Sequence, residues 1–392
     1  MAAFDARRLY AAAFLRALAA GYAGVWLGLH LGRLGLDGAP AGAVVAAGLG
    51  GGALAAAAAM FGGDRAGRRR SLIGLCLVAA AGGAALIWAR APGLLVVAAF
   101  VGMVNGMGRD RGAALVLEQA ALPQLVDADG RTRAFAVYNV AQDAGHALGS
   151  LVAGWPSLLL AGTEARAQAG VFTYVALVLA PLVAYVGLSA AVEGRGGRGG
   201  DLSPESRGII GRLCGLFALD AAGSGFLTTA FIVHFFQVRF GTSGEAIAAL
   251  FFAARVANAG SHLGAAWLAR RIGLVNTMVF THMPSSLLLC TVAVAPSFPI
   301  AAGLFLLRES LVEMDVPTRQ SYVVAVVREE ERTRAAGYTH LVRLVSWAVA
   351  PGLAGLLVEG GSLWLPLVVG AGLKIAYDLL LWMAFRRVPQ RS

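Results

Sequence analysis

Two clusters of ionisable residues sit in stretches otherwise made of apolar side chains. Arg109, Asp110, Arg111 and Glu118 fall inside an apolar run at 93–121, and Arg308, Glu309, Glu313, Asp315 and Arg319 fall inside another at 299–326. Arg16 and Asp220 stand in two further runs, at 9–31 and 210–237. An ionised side chain at the centre of a bilayer costs roughly 3 kcal/mol or more, so such residues mark polar cavities and ion or solute paths. The chemistry open to them is charge recognition and proton exchange. Arginine binds carboxylate or phosphate through paired hydrogen bonds. A carboxylate shielded from water takes up a proton near neutral pH, whereas one paired permanently to arginine stays ionised.

Asp110, Glu313, Asp220 and Asp143 are the candidate proton carriers, with Glu313 and Asp110 preferred. His146 lies three residues from Asp143, so a cation site with a span-4 carboxylate is an alternative to a hydrogen-bonded core histidine. Helical spacing orders the rest. Residues seven or eleven apart fall within about 20° on a helix wheel. Arg308, Asp315 and Arg319 then share one face, Arg111 and Glu118 share another, and Asp315 with Arg319 are spaced for direct pairing.

These residues need helices in lipid to hold them. Hydrophobic residues make up 58% of the 392-residue chain and charged residues 14%, against about 25% charged in a soluble domain. A spanning helix needs about 20 apolar residues. Twelve such runs can be placed, near 9–31, 40–62, 71–90, 93–121, 133–155 and 168–191, and again near 210–237, 245–269, 273–294, 299–326, 335–357 and 363–385. They are called spans 1 to 12. An even count puts both termini on one side, and arginine excess marks that side as cytoplasmic. Twenty basic residues then face the cytoplasm and four, Arg33, Arg90, Arg166 and Arg239, face away. The net charge of +10 is accounted for by topology, and nucleic acid is not expected as a partner. Cys76, Cys214 and Cys290 lie in apolar runs as packing residues. The N-terminal run, which continues for about 20 residues without a convincing small-residue cleavage site, is expected to be a retained first helix and not a signal peptide.

The polar, Gly-rich stretch 193–209 divides the chain into an N-terminal bundle at 1–192 and a C-terminal bundle at 210–392. Shifting 119–154 by 201 positions aligns it without gaps on 320–355 with nine of 36 residues identical, including Arg131-Thr132-Arg133-Ala134 on Arg332-Thr333-Arg334-Ala335. The expected fold is therefore an all-α membrane protein of two pseudo-symmetric six-helix bundles.

The pattern resembles the major facilitator superfamily. The loop Asp64-Arg65-Ala66-Gly67-Arg68-Arg69-Arg70 is similar to that family's D-R-x-G-R-[KR] signature, with a worn counterpart at Arg270-Arg271-Ile272-Gly273. Asp315-Val316-Pro317-Thr318-Arg319-Gln320, followed by Arg332-Thr333-Arg334-Ala335, resembles a motif of its exporter-like branches. The resemblance implies that spans 1, 4, 7 and 10 line a central path. It also implies that Asp64, Arg65 and Arg68 close the cytoplasmic side through an acid after span 4, for which Asp127 or Asp129 is the candidate. The repeat offset sets Glu118 opposite Arg319, so these two are a candidate gate pair, or each is satisfied in its own half by Arg111 and Asp315. Gly145-x-x-x-Gly149 on span 5 faintly resembles the family's antiporter motif, and close packing accounts for it equally well.

The expected function is secondary transport of a small ionic or polar solute by proton-coupled efflux, with a proton-coupled importer or divalent-metal exporter as alternatives. A scaffold or sensor that moves nothing is the reading from a different class. No P-loop, zinc-protease motif or nucleophile elbow occurs, so no enzyme, cofactor or resident metal is expected. The remaining expectations are a monomer in the lipid bilayer, small-molecule substrate and protons as partners, and the cytoplasmic (inner) membrane of a prokaryote.

Overall fold

The computed structural model describes residues 2–127, 131–193, 202–328, 331–360 and 362–385. No strand occurs among the described residues. Among the described residues seventeen α-helices fill the twelve spans. Spans 1 to 3 are α1 (Ala2–Arg33), α2 (Gly38–Ala66) and α3 (Arg68–Ala85). Span 4 is α4 (Pro92–Gly102) with α5 (Ala113–Ala121), and span 5 is α6 (Arg131–Val152) with the short α7 (Trp155–Leu159). Span 6 is α8 (Thr163–Leu179) and α9 (Leu182–Val186). Span 7 is α10 (Pro204–Phe226) and α11 (Thr229–Phe240), and spans 8 and 9 are α12 (Gly244–Ile272) and α13 (Leu274–Ala293). Span 10 is α14 (Phe298–Val312) and α15 (Asp315–Ala325), and spans 11 and 12 are α16 (Arg332–Glu359) and α17 (Leu365–Phe385). The chain is an all-α membrane protein. Its outer surface carries side chains that water would reject, such as Val183 at 84% exposure and Leu159 at 76%.

Among the described residues six stretches are long and apolar enough to cross a bilayer alone, including Ala3–Arg33, Pro204–Phe240 and Leu365–Phe385. Spans 4 and 10 miss that mark because each is interrupted, so no piece reaches the ~20 residues a crossing needs. In span 4 the helix stops at Gly102. Met103 turns left-handed at φ 49°, and helix resumes only at Ala113.

The chain packs as two compact units, Met1–Gly197 with Thr228–Phe252, and Arg198–Leu227 with Ala253–Ser392. The seam in span 7 falls at its helix break, where Thr228 caps α11 by accepting a hydrogen bond from the Phe231 N–H. Of the expected linker at 193–209, residues 194–201 lie outside the described residues. In the first unit α1 packs closely on α6. A methyl group on Gly149 would stand 2.0 Å from the Leu18 carbonyl oxygen, and one on Gly145 2.4 Å from that of Phe14. Gly145-x-x-x-Gly149 is thus a packing stripe that lets two backbones touch. In the second unit a core of Phe217, Met278, Tyr322, Tyr377 and Leu381 binds α10, α13, α15 and α17 together.

The two signature loops share one geometry. Gly67 joins α2 to α3 at φ 88°, and Gly273 joins α12 to α13 at φ 84°. Both are values that only glycine adopts without strain. The worn second loop keeps the turn after losing the acid.

Candidate functional site

Each unit buries one ionic cluster. In the first, Arg16 projects from α1 to Glu118 on α5, with Nε 3.2 Å from Oε1 and an Nη 2.9 Å from Oε2. The same Nη donates to the Tyr138 hydroxyl at 3.0 Å, which in turn donates to Glu118 at 2.8 Å. Tyr185 donates to the other carboxylate oxygen at 2.6 Å. Glu118, 0% exposed, therefore accepts four hydrogen bonds, and its charge is fully matched. The remaining Nη of Arg16 donates to Asp110 at 2.5 Å. A buried pair this well satisfied holds its geometry firmly.

Asp110 ties the pair to the unwound part of span 4. Non-helical backbone at membrane depth persists only where protein satisfies its polar groups, and here several groups do so. Asn105 donates its amide to the Arg109 carbonyl at 2.6 Å and accepts from the Met107 N–H at 2.9 Å. His146 Nε2 accepts from the Asp110 N–H at 2.7 Å. From α11, Thr229 donates its hydroxyl to the Met107 carbonyl at 2.8 Å, and the Ala230 N–H donates to Gly106 at 3.1 Å. The helix wheel that set Arg111 and Glu118 on one face does not apply, because backbone between them leaves the helix. Glu118 takes a cation from α1. Arg109, Arg111 and Asp143 lie in or beside this segment, all with partners of their own.

In the second unit the centre is Asp220 on α10. One of its oxygens accepts from Arg343 of α16 at 2.7 Å and from Arg319 of α15 at 3.3 Å. The other accepts from Lys374 of α17 at 2.9 Å. Arg319 also pairs with Asp315 at 2.5 Å, one turn back, as its spacing predicts. Lys374 Nζ lies 3.2 Å from His282 Nε2, and His282 Nδ1 lies 3.0 Å from both oxygens of Asp378. Arg308 leans on its neighbour Glu309 rather than along the helix to Asp315. Glu309 also accepts from Asn258 of α12 at 2.8 Å. Glu313 ends α14 at the break in span 10.

Glu118 and Arg319, the candidate gate pair, each carry a counter-charge within their own unit. Pairing them with each other would first release Arg16 and Asp220. At the loop, Arg68 is buried and donates to the carbonyls of Ala120 and Val192, both at 3.2 Å. The acid that caps α3 is Glu193, which accepts from the Arg68 and Arg69 N–H groups at 2.6 and 3.2 Å. Arg65 and Asp127 are exposed, and the Asp64 side chain and Asp129 lie outside the described residues. A second carboxylate does the same work at α10. Glu331 accepts from the Ser206 hydroxyl at 2.6 Å and from the Ser203 N–H at 2.5 Å. Those bonds, Ser206 foremost, hold its carboxyl down at about 2.

Sequence reasoning paired Asp315 with Arg319 and named Asp220, Arg16, Asp110 and Glu118 as path candidates without assigning them these contacts. It missed Tyr138, Tyr185, Asn258, His282, Arg343, Lys374 and Asp378. Two of these were open to view, since Lys374 and Asp378 are the only charges in the run 363–385. Among the described residues no group of three or more His, Cys, Asp or Glu side chains is placed to hold a metal ion.

The family model of the Major Facilitator Superfamily matches residues 9–312 of the chain. An uncharacterized membrane protein of Saccharomyces cerevisiae, YJR124C, is 25% identical over 426 residues, covering 99% of this chain and 95% of that protein. Among solved structures, the nucleoside transporter NupG superposes with a TM-score of 0.76 at 14% identity, over 98% of this chain and 100% of its own. A D-xylose-proton symporter gives 0.75 at 13% identity, over 98% of each.

Proposed function

The chain belongs to the major facilitator superfamily and is a membrane transporter, and from that premise we propose that it carries a small ionic or polar solute by proton-coupled alternating access. One observation carries the reading. Of the four spans whose charges stood out in the sequence, spans 4, 7 and 10 are broken helices. Broken spans expose backbone dipoles and helix ends beside polar side chains, which is how transporters of this kind build midplane binding sites. The break in span 4 carries Arg109, Asp110 and Arg111 on open backbone. Arginine there suits a solute with an anionic group. The span-10 pattern favours export in exchange for entering protons. The arginine bias supports cytoplasmic termini, and residue usage heavy in Ala, Gly and Arg supports the inner membrane of a prokaryote.

Reconstitution tests this. Purified protein in liposomes loaded with a pH-reporting dye is given an imposed pH gradient and a panel of uridine, D-xylose, dialanine and benzoate. Solute-dependent proton movement is expected for at least one. Solute movement indifferent to the gradient would sink the coupling and leave a facilitator, and inward accumulation with protons would reverse the direction.

A further inference from the structure

The chain has 32 lysine and arginine residues, and Lys374 is the only lysine. It is buried at the middle of α17, 4% exposed. Everywhere else a fixed positive charge is supplied by arginine, including in the same cluster, where Arg319 and Arg343 bond the same aspartate. Arginine does not give up its proton in a protein, whereas a lysine in a buried setting can. The single exception in the chain's choice of cation therefore falls where proton release is chemically useful.

The neighbours of Lys374 complete the case. Asp220 faces it from α10 at 2.9 Å and His282 from α13 at 3.2 Å. Arg343 from α16 and Arg319 from α15 approach through Asp220, and Asp315 stands behind Arg319. On α17 itself Asp378 lies one turn further on, 0% exposed, against the far side of the His282 ring. The contacts of His282 with Lys374 and Asp378 are both hydrogen bonds when His282 is neutral with its proton on Nδ1, and Asp220 stands 3.7 Å from Nε2. Lys374 then donates to Nε2, and Nδ1 donates to Asp378.

Resting on the proton coupling proposed above, we infer that Lys374, His282 and Asp378 form the relay that loads and releases the coupling proton. The Lys374 ammonium passes a proton to His282 Nε2 while His282 passes its Nδ1 proton to Asp378. Lys374 becomes an amine, Asp378 becomes a neutral acid, and the imidazole ends as its other tautomer. One proton has moved across two hydrogen bonds, and the cluster's net charge is unchanged. The consequence is mechanical, because Asp220 loses the cation that joins α10 to α17 and keeps only Arg319 and Arg343. Protonation of Asp378 and loosening of α17 from α10 are thus one event.

Lys374→Arg separates this relay from a structural cation, because it keeps the charge and removes the transferable proton. In the liposomes described above, Lys374→Arg is compared with the wild type on whichever panel solute the wild type couples. Gradient-driven movement should fall at least tenfold. If the variant stays coupled within twofold of wild type, the relay is wrong while proton coupling stands. If the wild type ignores the gradient, both fall. Should the variant not fold, the wild type decides. Protein grown on lysine labelled at the ζ nitrogen carries one label, and its nitrogen resonance is followed from pH 5 to 10. An ammonium signal that gives way to an amine signal below pH 9 supports the relay, and an ammonium signal unchanged to pH 10 overturns it.

Discussion

Arg16 meets Glu118 with two guanidinium nitrogens, at 3.2 and 2.9 Å, and the second unit repeats the contact with its signs exchanged. There the acid, Asp220, is on the first span of the bundle and the arginine, Arg319, on the fourth. The charge on each of these four spans is thus met inside its own bundle, and the bundles differ in what surrounds the pair. Glu118 is closed off by two tyrosine hydroxyls, whereas Asp220 is shared among three cations. The first cluster is built to stay as it is, and the second has members that can let go.

Removing one partner of the first pair should therefore be costly for stability. Arg16→Met leaves Glu118 buried without its cation, and breaking such a pair costs about 3–5 kcal/mol. The double variant Arg16→Met with Glu118→Leu should recover most of that loss, since no charge remains to be stranded. Thermal unfolding in detergent reads both. Equal melting temperatures for single and double variants would mean that the pair does not bear on stability.

The α1–α6 contact makes a sharper demand. A methyl group at Gly149 would lie 2.0 Å from a backbone oxygen, which cannot yield as a side chain can. Gly149→Ala should destabilise by about 1–3 kcal/mol, the usual range for overpacking. Gly52→Ala is the control. It lies in α2 with nothing near its missing methyl, and helix propensity there favours alanine by about 1 kcal/mol. A Gly149→Ala protein as stable as wild type would show that α1 and α6 are not in backbone contact.

The twelve spans were legible because a crossing has a length and an arginine bias has a side, and both survive without any knowledge of packing. The unwound stretch in span 4 was not, because hydropathy does not register backbone conformation. Its signs were Gly102, Gly106, Gly108 and Gly112 around Asn105, a density of glycine and polar side chain that suits broken helix better than continuous helix. The second cluster was only half legible. Asp220, Asp315 and Arg319 stood out by grouping on spans 7 and 10. His282 and Arg343 stand on separate spans, 9 and 11, Lys374 and Asp378 stand one turn apart on span 12, and only the fold brings them to Asp220. The wheel that paired Arg111 with Glu118 failed for a single reason, that it assumed a helix through 103–112.

Acid should unfasten the start of α10. The Glu331 carboxyl is held at about 2 by the Ser206 hydroxyl and the Ser203 N–H, below its value of about 4.3 in an unfolded chain. A depressed carboxyl stabilises the fold fully above its unfolded value and loses that contribution as pH falls toward its folded value. Glu331→Gln should thus be less stable than wild type at pH 7, and the gap should narrow between about pH 4 and pH 2. Melting curves of the two proteins that stay a constant distance apart across that range would contradict the assignment.

The second half of span 7, α11, should behave as part of the first bundle. Thr229 begins α11, and its hydroxyl donates to the Met107 carbonyl in the unwound segment at 2.8 Å. The hydroxyl is thereby a lock on open backbone that also carries Asp110 and the arginines proposed to meet solute. Thr229→Val keeps the shape and leaves that carbonyl without its donor, a loss of about 1–3 kcal/mol for a buried group. Serine at the same place restores the hydroxyl and should restore most of the stability. Solute affinity is expected to follow stability, because a segment that loses its lock no longer presents Arg109–Arg111 in one arrangement. Hydrogen exchange of the amides at 104–112 is the direct measurement. Faster exchange there in Thr229→Val, with α13 and α17 unchanged, is the expected pattern, and unchanged exchange at 104–112 would show that α11 does not hold span 4 open.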